Sequence, residues 1–196
     1  MERELMLTGI GGQGVQLAAQ ILARAATLED RHVLLFGVYG GAMRGGNTDS
    51  TLVVADAPIE APPIVSSTWS ALAMHHEFWE PVRAKLRPGG VVLVNSTLFE
   101  GEVDGSTHRV IEVPATQLAA DLGSPLTASM VMIGAYAGAT GLVGLNSLVE
   151  AMKQSVPPYR QQHVQNNAKA LETGFERAPR GAAPAWNGGD SQGGTA

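Results

Sequence analysis

Leu5-Met6-Leu7-Thr8-Gly9-Ile10-Gly11-Gly12-Gln13-Gly14-Val15 lies near the start of the chain, and its reading decides the fold. Residues 5–10 form a short apolar run suited to a buried strand, and the glycines that follow break it. Beyond them Val15, Leu17, Ala18, Ile21, Leu22 and Ala25 recur at helical spacing up to Leu28, with Gln16, Gln20 and Arg24 on the opposite face. Residues 32–36 are a second apolar run. Strand, glycine turn, helix and strand, in that order, begin a doubly wound, mostly parallel α/β sheet.

Further along, a glycine-dense stretch at 37–46 leads into a β-rich segment at 48–55 and a proline-rich connection at 56–63. Residues 64–67 read as a short strand. Residues 69–86 read as a helix bearing Leu72, Phe78, Trp79, Val82 and Leu86, ended by Pro88-Gly89-Gly90. Strands follow at 91–94 and 108–113. The remainder is helical, at 115–122, 128–142, 145–155 and 160–175, with Val156-Pro157-Pro158 separating the last two. One domain over 1–176 and a flexible Gly/Ala/Pro-rich tail over 177–196 are expected.

Composition narrows the function. With 13 Lys+Arg against 18 Asp+Glu and a net charge of −5, the chain lacks the basic face that nucleic acid requires. It has no cysteine, so it forms no disulfide and supplies no thiolate to an iron–sulfur cluster. Met1-Glu2-Arg3-Glu4 does not resemble a signal peptide, and a cytoplasmic location is expected. Residues 122–149 carry no charge and would be long enough to span a bilayer. Pro125, Ser124, Thr127, Ser129, Thr140 and Asn146, with a Gly/Ala-rich middle, favour instead a helix buried within an assembly. Such a helix would expose an apolar patch on the isolated chain.

The sharpest local feature is Gly9-Ile10-Gly11-Gly12-Gln13-Gly14. Between a strand and a helix, these glycines permit a tight turn and close approach of backbone amides to an oxyanion at the helix N-terminus. A phosphate-bearing ligand and a purely structural turn are the two readings. NAD is disfavoured, because the second strand ends Leu34-Leu35-Phe36-Gly37 without the carboxylate that holds a ribose, and Glu29 and Asp30 precede that strand. Nor does any tyrosine have a lysine four residues on: Tyr39, Tyr136 and Tyr159 are followed by Met43, Thr140 and His163. A second loop, Tyr39 to Thr48, carries Arg44, Gly45 and Asn47. Arg44 suits a phosphate or carboxylate, or else an interdomain ion pair. His75 and His76, adjacent on the expected helix, would point to different sides and share no metal. Asp49, Asp56 and Asp104 lack a second carboxylate at a telling spacing, and there is no nucleophile elbow.

Taken together, these segments resemble the gamma subunits of 2-oxoacid:ferredoxin oxidoreductases. GIGGQG with its alanine-rich helix is similar to that family's opening, and YGGAMRGG at 39–46 to its second loop, with Gly41-Ala42 where Pro-Glu is usual. LRPGGVVLVNS at 86–96, MVMIGA at 130–135, TGL at 140–142 and the helix with Asn166, Asn167, Ala170, Leu171 and Gly174 complete the likeness over about 4–176. It implies a Rossmann-like domain with C-terminal helices, in a complex that decarboxylates a 2-oxoacid, forms acyl-coenzyme A and reduces ferredoxin. It places thiamine diphosphate and the iron–sulfur clusters in the alpha, beta and, where present, delta subunits. It assigns Gly9, Gly11, Gly12, Gln13, Gly14, Arg44, Gly45 and Asn47 to coenzyme A. The YGxxMRGG form leans toward 2-oxoglutarate-type chains. A free-standing nucleotide-binding dehydrogenase and a structural subunit without ligand are the alternatives.

Overall fold

The computed structural model describes residues 1–39, 45–60 and 65–186. Strand β1 (Glu2–Ile10) is buried through its middle without alternation, as a central strand covered on both faces must be. On one side it pairs antiparallel with β3 (Asn47–Ala55), Glu2 opposite Ala55 and Ile10 opposite Asn47. On the other it pairs parallel with β4 (Thr68–Ala73). β2 (His32–Tyr39) lies antiparallel outside β3, while β5 (Leu86–Asn95) and β6 (Arg109–Val113) extend the sheet in parallel beyond β4. The order is β2-β3-β1-β4-β5-β6. Because β3 opposes both neighbours, β2 runs with β1, and only β3 is reversed. This is the open, mostly parallel α/β sheet expected from the sequence.

Helices α1 (Val15–Leu28), α3 (Ala115–Asp121), α4 (Ala128–Thr140), α5 (Leu145–Ser155) and α6 (Val164–Arg177) share the main core with Leu5, Leu7, Leu52, Leu72 and Leu93 on one face of the sheet. The other face buries Met6, Ala71, Ala73, Val92 and Val94 beneath Trp79, Leu86 and Val82 of the short α2 (Glu80–Arg83). Past α1 the chain turns through Asp30, at φ 58°. Beside it Glu29 Oε1 accepts the Gly144 N–H at 2.7 Å and so caps the start of α5. The two acids that precede β2 thus serve the end of the sheet remote from the glycine turn.

Two expected elements are wrong. The helix read over 69–86 is instead β4, a bend and α2, and the short strand expected at 64–67 is absent from 65–67, the part of it that is described. Ser70-Ala71-Leu72-Ala73 is a short apolar run whose periodicity does not separate a buried strand from a buried helix. Tertiary context decides it: Thr68 and Ser70 hydroxyls donate to Glu4 O at 3.1 and 3.0 Å, and the backbone fills the gap between β1 and β5. The helical part of the segment shrinks to four residues with Pro81 in the first turn. The last helix also starts later than expected, residues 158–163 forming two 3₁₀ turns before α6.

The uncharged stretch is resolved by α4, every residue of which is buried within the chain itself. A helix apolar on all sides belongs inside a core. Its partner is α6, and the two backbones nearly touch. A Cβ on Gly134 would lie 2.1 Å from Leu171 O, and one on Gly174 would lie 1.9 Å from Val131 O. The expectation that an outside subunit covers this helix is therefore corrected. Leu126, ahead of α4, does stay 88% exposed. Among the described residues no helix is long and apolar enough to cross a membrane.

The tail expectation is corrected as well. Beyond α6 the chain doubles back along the C-terminal turn of α4. Gly181, Ala183 and Ala185 N–H donate to the carbonyls of Gly138, Ala139 and Thr140, which a helix end leaves unpaired. Trp186 Nε1 donates to Leu142 O at 3.1 Å, and the Arg31 guanidinium lies 4.2 Å from the Trp186 ring centroid. Composition hid this strap, because its contacts are backbone bonds and two small buried alanines, Ala178 and Ala185. Residues 187–196 lie outside the described part.

Candidate functional site at the carboxyl ends of β1 and β4

From β1 the chain passes through α1 toward β2 on one side, while β4 lies on the other. The gap between β1 and β4 is therefore the topological switch point, where open α/β sheets bind ligands. The glycine sequence stands there. Gly12 and Gly14 have φ of 108° and 77°, values that side-chain-bearing residues rarely adopt. A Cβ on Gly9 would lie 2.6 Å from Gln13 Oε1 and 2.9 Å from Met74 Cβ, and one on Gly14 would lie 2.7 Å from Ser129 Oγ. Those two glycines serve close packing. Gly12 differs, since nothing lies within 4 Å of where its Cβ would be. Its backbone is open to an approaching group.

The turn is internally braced. Gln13 Oε1 accepts the Ile10 N–H at 2.8 Å, and Gln13 N–H donates to Ile10 O at 3.0 Å. Gly11 N–H donates to Gly46 O at 2.8 Å, which joins the two glycine loops that are far apart in the sequence. The amides of Gly11 and Gln13, expected to face a ligand, are thus used within the chain. Those of Gly12, Gly14, Val15, Gln16 and Leu17 meet no acceptor among the described residues, the usual state of a helix's first turn. Gly45, at φ 95°, also has open space around its Cβ position. Arg44 lies outside the described residues.

Asn47 begins β3 beside this junction. Its Nδ2 donates to Asp49 Oδ2 at 2.8 Å, and the remaining oxygens, Asn47 Oδ1 and Asp49 Oδ1, are buried and meet no hydrogen-bond partner among the described residues. Buried acceptors of this kind are costly unless a donor reaches them.

On the helical side the turn borders a cavity of about 150 Å³ lined by Gly12, Gln13, Met74, Leu98, Thr116 and Leu126, among others. It lies at the start of both α1 and α4. The sequence does not mark Met74, Leu98, Thr116 and Leu126 as a group, because Met74 and Thr116 fall within expected helices, Leu126 within the uncharged stretch and Leu98 in no expected element. A polar Asn95 closing the apolar run Val91 to Val94 was the available signal. A larger cleft, about 670 Å³, lies over β5 and β6 and carries Glu102, Asp104 and Glu112. Hydrogen bonds from the Ser106 hydroxyl and N–H and from the Thr107 hydroxyl hold the Asp104 carboxyl down to about 2. These carboxylates repel a phosphate ligand, so the smaller cavity is the better candidate.

The two histidines follow β4 in a bend, not a helix, and their rings stack with centroids 4.4 Å apart, correcting the expectation that they diverge. Among the described residues no three His, Cys, Asp or Glu side chains form a group able to hold a metal.

The sequence profile described as pyruvate ferredoxin/flavodoxin oxidoreductase matches residues 4–177. The chain belongs to that family. It is 32% identical over 184 residues to the 2-oxoglutarate synthase subunit KorC of Methanocaldococcus jannaschii, covering 91% of this chain and 95% of that one. The crystal structure of the keto/oxoacid ferredoxin oxidoreductase gamma subunit from Geobacter sulfurreducens is 30% identical, with a TM-score of 0.78 over 90% of this chain and 95% of that one. The same fold, at 18% identity and a TM-score of 0.79, forms 30% of a chain of Magnetococcus marinus 2-oxoglutarate:ferredoxin oxidoreductase, determined with 2-oxoglutarate, coenzyme A and succinyl-CoA bound. That covers 89% of this chain.

Proposed function

We propose that this chain is the gamma-type subunit of a cytoplasmic 2-oxoacid:ferredoxin oxidoreductase, and that its glycine-turn face forms part of the coenzyme A site. One observation carries the reading: Gly12, held at φ 108° with open space beside it, leads into the unpaired amides of α1. Amides so placed suit phosphate or pantetheine oxygens. A cavity of about 150 Å³ holds only a fragment of coenzyme A, so the rest lies against other subunits. Gly9 and Gln13 shape the turn, Gly11 joins the loops through Gly46 O, and Gly45 leaves its backbone open. Arg44 adds a charge-assisted contact to an anionic group, and Asn47 offers an acceptor to an N–H group.

Coenzyme A, when bound, supplies the thiol that accepts the acyl group. Iron–sulfur clusters belong to the partner subunits, since this chain has no cysteine to ligate one, and thiamine diphosphate goes with them to the alpha, beta and, where present, delta subunits. Ferredoxin takes the electrons. 2-Oxoglutarate is the first acid to test, because relatives from three archaea are named 2-oxoglutarate synthase subunits.

The experiment is steady-state kinetics of the reconstituted complex with coenzyme A and 2-oxoacid varied separately. Gly12→Val should raise KM for coenzyme A roughly tenfold, about 1.4 kcal/mol, and leave the 2-oxoacid KM unchanged. An assembled Gly12→Val complex with unaltered coenzyme A dependence would show the turn to be a packing device in a subunit without ligand.

A further inference from the structure

Met74, Leu98 and Thr116 line the cavity from three separate segments, and one buried side chain and its own carbonyl bind all three. Asn95, the last residue of β5, is wholly buried. Its Nδ2 donates to Met74 O at 3.3 Å and to Thr116 Oγ1 at 2.9 Å, and its Oδ1 accepts the Thr116 N–H at 3.2 Å. Its main-chain carbonyl accepts the N–H groups of Leu98 and Phe99, both at 3.0 Å. Met74 N–H in turn donates to Thr8 O at 2.9 Å, which ties the network to β1 beside the glycine turn.

We infer that Asn95 is a positioning residue, which fixes the distance between the end of β4 and the start of α3 and so the shape of the cavity beside Gly12. A leucine has the same branching and heavy-atom count and avoids the cost of taking an amide out of water. Here that amide bonds only to residues that line the cavity. The fully satisfied network makes the cavity wall rigid, so a ligand seated there meets a preorganised surface. Loosening the wall adds an ordering cost to binding and leaves chemistry carried out on partner subunits untouched. Asn95 itself lies behind the wall and touches no ligand.

The inference rests on the coenzyme A reading, and the test separates the two. Asn95→Leu, Asn95→Asp and Thr116→Val chains are assembled with their partner subunits and compared with wild type and Gly12→Val. Asn95→Leu removes every side-chain bond while keeping the branching and the number of heavy atoms. It should raise KM for coenzyme A roughly five- to tenfold, as losing more than one hydrogen bond implies, with kcat within about twofold. Thr116→Val, which loses only the hydroxyl, should move KM the same way by less, and serves if Asn95→Leu fails to fold. Asn95→Asp keeps the acceptor and loses the donor, and should fall between them. Hydrogen exchange at the Thr116 amide is the readout independent of activity, and should speed up in Asn95→Leu. Faster exchange with an unchanged coenzyme A KM overturns the inference while Gly12→Val still raises that KM. If Gly12→Val also leaves KM unchanged, the coenzyme A reading itself fails. A fall in kcat without a KM change also overturns the inference.

Discussion

Gly174→Ala adds one methyl group to α6, and it should be among the most damaging single-methyl changes this chain admits. The added Cβ would sit 1.9 Å from Val131 O, 2.8 Å from Val131 C and 2.9 Å from Ala135 N. All three are backbone atoms of α4, so no rotamer change relieves the clash. Ordinary contact begins near 3.4 Å, and the helices must separate by on the order of 1 Å or more along a fully buried crossing. Overpacking a core costs about 1–3 kcal/mol when side chains can adjust. Here backbone must move, against a gain of about 1 kcal/mol from alanine's helix propensity. A net loss of about 2–4 kcal/mol is expected, and for a chain of this size each kcal/mol lowers Tm by about 2–4 °C. Thermal and urea denaturation followed by far-UV circular dichroism would measure it. Gly105→Ala is the control, since its Cβ meets nothing within 4 Å. A Gly174→Ala chain that melts within about a degree of wild type would refute the close crossing.

Two further outcomes follow from the core. Ending the chain at Arg177 removes the strap on α4, with its three backbone bonds and the Trp186 bond to Leu142 O; at about 0.5–1.5 kcal/mol each, Tm should fall by several degrees, and an unchanged melt would show the strap to be idle. Burial raises the Tyr136 pKa well above the ordinary tyrosine value, and its Ser70 partner at 2.9 Å only partly opposes this. Its stabilising effect is therefore complete below the unfolded-state value near 10 and fades as pH rises toward the folded value. An alkaline spectroscopic titration should show Tyr136 ionising only together with unfolding. A Tyr136→Phe chain, still folded through the Ser70 bond to Glu4 O, should lose that late step, and ionisation of Tyr136 well before the chain unfolds would contradict the assignment.

The opening βαβ unit was legible because its signals are local. An apolar run, a glycine turn and a single-face helix at Val15–Leu28 each declare themselves within a few residues. The switch to β4 was not, because Ser70 to Ala73 have weak strand preference and acquire their conformation only between β1 and β5. That error removed half of the site, since Met74 directly follows β4 and Asn95 and Thr116 are tied to it. The uncharged stretch was recognised as buried but assigned the wrong cover. Nothing in the periodicity of α4 shows that Gly134 and Gly138 face Leu171 and Phe175 of the same chain. The pairing of the glycine loops through Gly11 and Gly46 is equally non-local.

The character of the site also limits what any variant of it can do. Backbone amides at Gly12 and along the first turn of α1 provide hydrogen-bond donors and a partial positive charge. They carry no proton to transfer and no electron to store. The deeply buried phenol of Tyr136 is directed to Ser70 inside the core, and the stacked imidazoles of His75 and His76 follow β4 without a carboxylate partner among the described residues. Binding energy spent equally on ground and transition states lowers KM and leaves kcat alone. Substitutions at the glycine turn and in the Asn95 network should therefore act on KM for coenzyme A. A large loss of kcat in an assembled complex would mean that these residues also govern how the subunits that perform the chemistry are placed.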